Sequence, residues 1–127
     1  MNVKAHGIDV VECSRLQHAI DRHGQRLLRR VFTEAELAYC RGRRREIEHL
    51  SGRFAAKEAV LKVLGTGWVS GISWTDIEVS NDQAGRPHLV LSGRCRELAD
   101  ALGLRDILVS ITHTKTSAIA SAIGLGQ

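Results

Sequence analysis

The chain is expected to fold as one α+β domain, with helices packed on a mostly antiparallel sheet. Three observations lead there. Its 127 residues fit one domain of ordinary size. Hydrophobic residues at 43% and charged residues at 25% give the balance of a globular chain. Periods of 2 and of 3.6 then follow one another in an order that suggests hairpins, not a regular strand-helix-strand alternation.

The elements can be read in order. Val3 to Val11 alternates, which predicts a strand with Val3, Ala5, Gly7, Asp9 and Val11 on one face. Leu16 to Leu28 reads as a helix with Arg15, Arg22, Arg26 and Arg29 on its polar side and a break near Gly24. Thr33-Glu34-Ala35-Glu36 is a capping box, and Phe32 with Leu37 forms the matching hydrophobic staple, so a helix starts there. Glu48 to Leu64 is helical and stops at Gly65-Thr66-Gly67. Beyond it come a strand (Asp76 to Ser80), a turn (Asn81 to Arg86), a strand (His88 to Leu91) and a helix (Arg94 to Leu102). Two last strands, Ile107 to Thr112 and Ser117 to Ile123, form an antiparallel hairpin around Thr114 to Thr116. No repeat, low-complexity tract or linker is seen.

No apolar run approaches the roughly 18 to 20 residues of a spanning helix, and MNVKAHGIDVVE lacks the apolar stretch of a signal peptide. A cytoplasmic protein without a membrane partner is expected. Cys13, Cys40 and Cys95 stand singly, so they suggest reduced thiols and offer neither a disulfide framework nor a zinc knuckle. The net charge of +4 favours an anionic partner. Much of the positive charge is Arg41, Arg43, Arg44 and Arg45, a run that most often is just a solvated surface.

Candidate chemistry lies in RFAAKEAVLKVLGTG, Arg53 to Gly67. Between Phe54 and Leu64 every residue is apolar or alanine except Lys57, Glu58 and Lys62. Glu58 and Lys62 share a helix face, and the plain reading is an ion pair contributing a few tenths of a kcal/mol. The apolar surround argues for partial burial, where charges are costly unless paired or bound. Asp9, on an apolar strand, poses the same problem. One divalent cation would explain both carboxylates, because Mg2+ is held by one or two of them plus phosphate oxygens and waters. Lys62 would then neutralise a phosphate on that ion. Gly65 suffices as a helix C-cap, and Gly67 lets a ligand approach the backbone. His113 ends an alternating strand, where it is either a hydrogen-bonded terminus or, with the Thr112 and Thr114 hydroxyls, a phosphate contact. No nucleophile motif is present.

Four segments in this order resemble one family: GIDVVE (Gly7 to Glu12), VFTEAEL (Val31 to Leu37), GRFAAKEAVLKVLGTG (Gly52 to Gly67) with WTDIEV (Trp74 to Val79), and SITHTKTSAIASA (Ser110 to Ala122). They are similar to the holo-acyl-carrier-protein synthases, the short single-domain 4'-phosphopantetheinyl transferases. The resemblance spans essentially the whole chain. It implies transfer of the 4'-phosphopantetheine arm of coenzyme A to a serine of apo-acyl carrier protein, leaving adenosine 3',5'-bisphosphate, for fatty acid biosynthesis. It implies Asp9 and Glu58 as ligands of Mg2+, with Mn2+ as an alternative, and Lys62 directed at the cofactor's phosphates. Arg53 and Gly65, Thr66 and Gly67 would lie beside the cofactor, and His113 and Thr114 near its 3'-phosphate. It also implies a homotrimer with sites between subunits, the His113 segment coming from a second chain, and Arg15 and Arg22 meeting the acidic carrier. Cys13 and Ser117 depart from the family's usual larger aliphatic and aromatic residues, which touches the packing of the last hairpin and not the metal positions.

Physically, Glu58, or a water that it positions, is the candidate acceptor for the serine proton. Two rival readings compete: a basic nucleic-acid-binding domain using the arginine run, and an inactive subunit that binds coenzyme A. The first leaves Asp9 and Glu58 unexplained and has few stacking residues in a chain that is 4% aromatic. The intact acidic pair argues against the second.

Overall fold

The N-terminal alternation becomes β1 (Asn2–Glu12), which pairs antiparallel with β5 (Ser117–Gly126) from the far end of the chain. A computed structural model describes residues 1–67 and 71–127. Between these strands run α1 (Cys13–His23), α2 (Gln25–Val31), α3 (Glu34–Cys40), α4 (Glu46–Leu64), β2 (Ile77–Asn81), β3 (Pro87–Leu91), α5 (Gly93–Ala101) and β4 (Leu104–His113). Among the described residues the strands form two antiparallel sheets, one of order β1-β5-β4 and a hairpin of β2 with β3. The expected class is α+β, and so is the fold.

Three details differ from the sequence expectation. A register shift between Val3 and Ala5 takes Val3 off the face shared by Ala5, Gly7, Asp9 and Val11, and leaves it 66% exposed. Asp76 is not in a strand; it closes a single 3-10 turn, Trp74–Asp76, and its carboxylate accepts from Ser73 N at 3.2 Å. Finally, β4 and β5 extend well beyond the predicted boundaries, because each continues to pair as far as Leu104 and Gly126. The predicted helix break falls at Gly24, between α1 and α2. The final turn is held by Thr114, whose N donates to Ser117 O at 2.8 Å and whose Oγ1 accepts from Ser117 N at 3.1 Å.

The core forms where α4 lies across the three-stranded sheet. Ala118, Ala120 and Ala122 of β5 and Ala55, Ala56 and Ala59 of α4 are fully buried or nearly so, small side chains that let helix and sheet approach closely. The approach is tightest at Gly7, where a Cβ would lie 2.4 Å from Ala59 O and 2.8 Å from Lys62 Cβ. Only glycine fits there.

Of the 19 residues of α4, 13 are buried, and this explains why it is apolar on nearly every side. Three charged residues go inside with them, Glu48, Arg53 and Lys57, and Lys57 is the one with no exposure at all. Lys57 Nζ lies 2.7 Å from Glu36 Oε1, and both side chains are fully buried. Lys57 also donates to Trp74 O at 3.1 Å and to Ile77 O. Glu36 accepts from Thr33 N at 2.9 Å, as the capping box requires, and from Val79 N at 2.9 Å. The pair therefore ties α3, α4 and β2 together with its hydrogen-bonding capacity used. Burial pushes the Lys57 amine down, and the Glu36 carboxylate opposes that shift.

Removing one partner of a buried pair strands the other charge, at a cost of about 3–5 kcal/mol. Lys57→Met is expected to lose that much in urea denaturation, and adding Glu36→Gln to recover part of it by neutralising the stranded carboxylate. A loss below about 1 kcal/mol for the single variant would show that the pair does not hold the fold together.

Candidate active site

Asp9 sits on the face of β1 that meets α4, two residues beyond the Gly7 contact, and Glu58 and Lys62 project from α4 toward it. Lys62 Nζ donates to Ile8 O at 2.7 Å and lies 3.4 Å from Asp9 Oδ1. The lysine thus bridges helix and strand; it does not form the plain ion pair with Glu58 that helical spacing offers. Nor is it buried: its side chain is 54% exposed, whereas that of Asp9 is 21% exposed. Only the two carboxylates are partly removed from water.

Burial pushes the Glu58 carboxyl up, the charge of Asp9 pushes it further, and Lys62 offsets part of this. Two acids are therefore held near one another, with Lys62 offsetting only part of the effect on Glu58, and both line a cavity of about 700 Å3. Glu12, Arg15 and Ser117 also line that cavity, with Leu16, Phe54 and Trp74 as part of its apolar wall. Among the described residues no group of three or more His, Cys, Asp or Glu forms a metal cage. Two carboxylates facing an open cavity instead suit a hard cation that keeps other oxygen ligands, the donor set of Mg2+.

Two other predicted cofactor residues, His113 and Arg53, lie near the N-terminal half of α4. His113, at the end of β4, places Nδ1 2.8 Å from Glu48 Oε1, and its ring is 5.5 Å from that of His49 in a T-shaped contact. Arg53 is buried, its guanidinium 4.1 Å above the Tyr39 ring and hydrogen-bonded to Asn81 Oδ1. Its Nε has no hydrogen-bond partner among the described residues. These groups line a second cavity of about 140 Å3. The two cavities have no lining residue in common. One chain therefore brings Asp9, Glu58 and Lys62 together, and Arg53 with His113, but does not join the two sets.

Gly65 caps α4 in the left-handed conformation at φ 73°, its N–H donating to Leu61 O and Lys62 O, and Thr66 and Gly67 continue the chain one turn beyond Lys62. Thr114 is occupied in the β4-β5 turn. Arg15 lines the larger cavity, and Arg22 is exposed in the last turn of α1. Cys13 is buried at the start of α1, its N–H on Thr116 O at 2.9 Å, so the last hairpin packs regularly despite the departures at Cys13 and Ser117. Sequence reading gave no role to Glu48 or Asn81. Glu48 lies three residues after Arg45 and one before His49, a local spacing that carries no sign of its contact with His113.

The family described as the 4'-phosphopantetheinyl transferase superfamily matches residues 5–119. A holo-[acyl-carrier-protein] synthase of Moorella thermoacetica is 51% identical over 117 residues, covering 92% of this chain and 90% of that one. One from Thermoanaerobacter sp. is 46% identical over 120 residues, covering 94% and 86%. The chain belongs to the holo-acyl-carrier-protein synthases. Among solved structures, the holo-(acyl-carrier-protein) synthase of Bacillus anthracis, in complex with CoA (3',5'-ADP), superposes with a TM-score of 0.81 at 33% identity, covering 98% of each chain. As a holo-acyl-carrier-protein synthase this chain is a phosphopantetheinyl transferase, and its cavities are to be read for that chemistry.

The acidic pair has a consequence for stability. A carboxyl whose folded pKa is raised binds its proton more tightly in the fold, so its contribution to stability falls as pH rises from the unfolded value through the folded one. In metal-free protein Glu58→Gln is therefore expected to raise the melting temperature at pH 7 and to leave it unchanged near pH 4, where Glu58 is already protonated. A lower melting temperature at pH 7 would contradict the strain between Asp9 and Glu58.

Proposed function

We propose that the chain moves the 4'-phosphopantetheine group of coenzyme A to a serine of apo-acyl carrier protein, with Mg2+ held by Asp9 and Glu58 and Mn2+ as a possible substitute. The products are holo-acyl carrier protein and adenosine 3',5'-bisphosphate, and the setting is cytoplasmic fatty acid biosynthesis. The observation that supports this reading is the pair of carboxylates, Asp9 and Glu58, lining one cavity, with Lys62 bridging α4 to β1 beside Asp9.

The serine oxygen bonds to the phosphorus that bears the pantetheine arm. The bond from that phosphorus to the bridging oxygen breaks, and the oxygen departs on the adenosine half. Such transfers depend on positioning and on neutralising phosphoryl charge. Mg2+, when bound, supplies Lewis-acid neutralisation of the diphosphate. Lys62 is exposed and only loosely paired with Asp9, so its amine can turn to a phosphate oxygen. At about 4 Å and an effective dielectric of about 20 that contact is worth roughly 4 kcal/mol before desolvation. We assign the serine proton to Glu58, or to a water that it positions, since this half-buried carboxylate lines the cavity in which the transfer would occur.

A homotrimer with sites between subunits accords with two features. The sheet face turned away from α4 exposes Ile8, Val10, Leu108 and Ile119, at 58, 61, 51 and 40%, and Val10 and Ile119 are register partners on adjacent strands. Such an apolar patch suits a neighbouring subunit. The separation of the Asp9 and His113 cavities in one chain also suits a cofactor shared by two. No helix among the described residues is long and apolar enough to cross a membrane.

Purified apo-acyl carrier protein, incubated with this protein, coenzyme A and Mg2+, is expected to gain the mass of one phosphopantetheine arm, and to gain nothing in the presence of chelator. Lys62→Ala should slow that transfer by about 10²- to 10³-fold, the loss typical of one phosphate-stabilising donor. No mass gain with several carriers would remove the transferase reading.

Arg15 and Arg22 are seven residues apart on α1, two turns along one face, and we assign them to the acidic carrier. Substituting either with Ala should raise KM for the carrier with little change in kcat, and the difference should shrink as salt is added. An unchanged KM at low salt would remove them from the docking surface.

A further inference from the structure

Glu48 is a buried carboxylate with a position that the transfer chemistry leaves unexplained. It is the one acidic side chain lining the smaller cavity, among His49, Arg53 and His113. Its residue is only 6% exposed. Oε1 lies 2.8 Å from His113 Nδ1, and Oε2 is 3.9 Å from Arg45 Nε at the helix N-terminus. A carboxylate in a pocket meant for a phosphate would repel it, unless its charge acts through a cation that meets the phosphate first.

The hydrogen bond decides which nitrogen does so. With Nδ1 donating to Glu48, Nε2 is the only ring nitrogen left for a ligand, and in the imidazolium it carries a proton that a phosphate oxygen can accept. A histidine at a strand end has an open χ2, and a carboxylate anchored in α4 removes that freedom. Asn81 does the same for Arg53: its Oδ1 accepts from the guanidinium while its Nδ2 donates to Gly85 O at 3.0 Å, which ties the arginine to the β2-β3 turn. The cavity thus presents an arginine and a histidine, each held by a polar partner behind it.

We infer that Glu48 is a positioning residue, which by accepting from His113 Nδ1 fixes the imidazole so that Nε2 donates to the 3'-phosphate of coenzyme A. This rests on the coenzyme A reading above. Glu48 touches no reacting atom, so it sets cofactor affinity and not the rate of the chemical step.

The test compares coenzyme A with dephospho-coenzyme A, which lacks the 3'-phosphate, by isothermal titration with the wild-type protein, Glu48→Ala, Glu48→Gln, His113→Ala and the Glu48→Ala/His113→Ala double variant. Glu48→Ala is expected to weaken coenzyme A binding about tenfold, the loss of one charged hydrogen bond, and to leave dephospho-coenzyme A unchanged. Glu48→Gln, which keeps an acceptor without the charge, should fall between. The double variant should match His113→Ala alone, because Glu48 acts only through that ring. Equal weakening toward both ligands, with a lower melting temperature, would assign Glu48 to stability and overturn the inference. Tighter binding of coenzyme A by Glu48→Ala would overturn it as well, since the carboxylate would then merely repel the phosphate. Equal affinity of the wild-type protein for the two ligands would also overturn it, while the transferase reading, tested by carrier mass, would stand.

Discussion

The buried pair of Lys57 and Glu36 is the constraint on which the arrangement of the rest depends. A lysine and a glutamate without exposed atoms carry a desolvation penalty of several kcal/mol each, which only full pairing offsets. That requirement fixes the rotation of α4 about its own axis. With Lys57 turned toward α3 and the carbonyls of Trp74 and Ile77, the next residue, about 100° round the helix, turns Glu58 toward the larger cavity. Lys62, four residues on, then falls above Asp9, and Ala55 and Ala59 are left to meet the sheet. Rotating the helix to relieve the lysine would move both proposed site residues off β1. The pair is structural, and the site inherits its geometry from it.

This division of labour within one short run of charges shows what is legible in a sequence. The capping box at Thr33 and Glu36 follows a local rule, and the structure contains it. The second duty of Glu36 is not legible, because Val79 N and Lys57 reach it from distant parts of the chain. The arginine run reads as a solvated surface and is exposed in the fold, but its partners are no more legible. In the fold Arg41 bonds Gln25, Arg43 stacks 3.8 Å above the Tyr39 ring, and Arg45 approaches Glu48. Charge and composition report how many cations exist, and only tertiary contacts report what each one faces.

The grouping of the candidate site residues was legible to the same degree. Asp9, Glu58 and Lys62 stand out because each is a charge in an apolar element, and the register of β1 against β5, with Gly7 admitting α4, is what makes them neighbours. The burial expected for Lys62 is absent: its side chain is 54% exposed although its amine reaches Ile8 O and Asp9 on β1. Glu48 and Asn81 escape notice in the sequence for a different reason. Each has polar residues close along the chain, Glu46 and His49 for Glu48 and Ser80 and Asp82 for Asn81, so nothing about their placement looks costly until the fold closes a cavity around them.

The two cavities pose a geometric problem that the proposed oligomer resolves. Both are built on α4, with Glu48 and Arg53 toward its N-terminus and Glu58 and Lys62 toward its C-terminus. A cofactor contacting both sets within one chain would have to follow the helix past side chains that are buried against the sheet. A head-to-tail contact, in which the His113 cavity of one subunit faces the Asp9 cavity of the next, avoids this. Repeated around a closed ring it uses every copy of both half-sites and leaves none unpaired. The exposed apolar face of the β1-β5-β4 sheet gives such a ring an interior. On this arrangement the sheet edge that carries His113 is held by the same packing that orients Asp9, so assembly and cofactor recognition are one structural event.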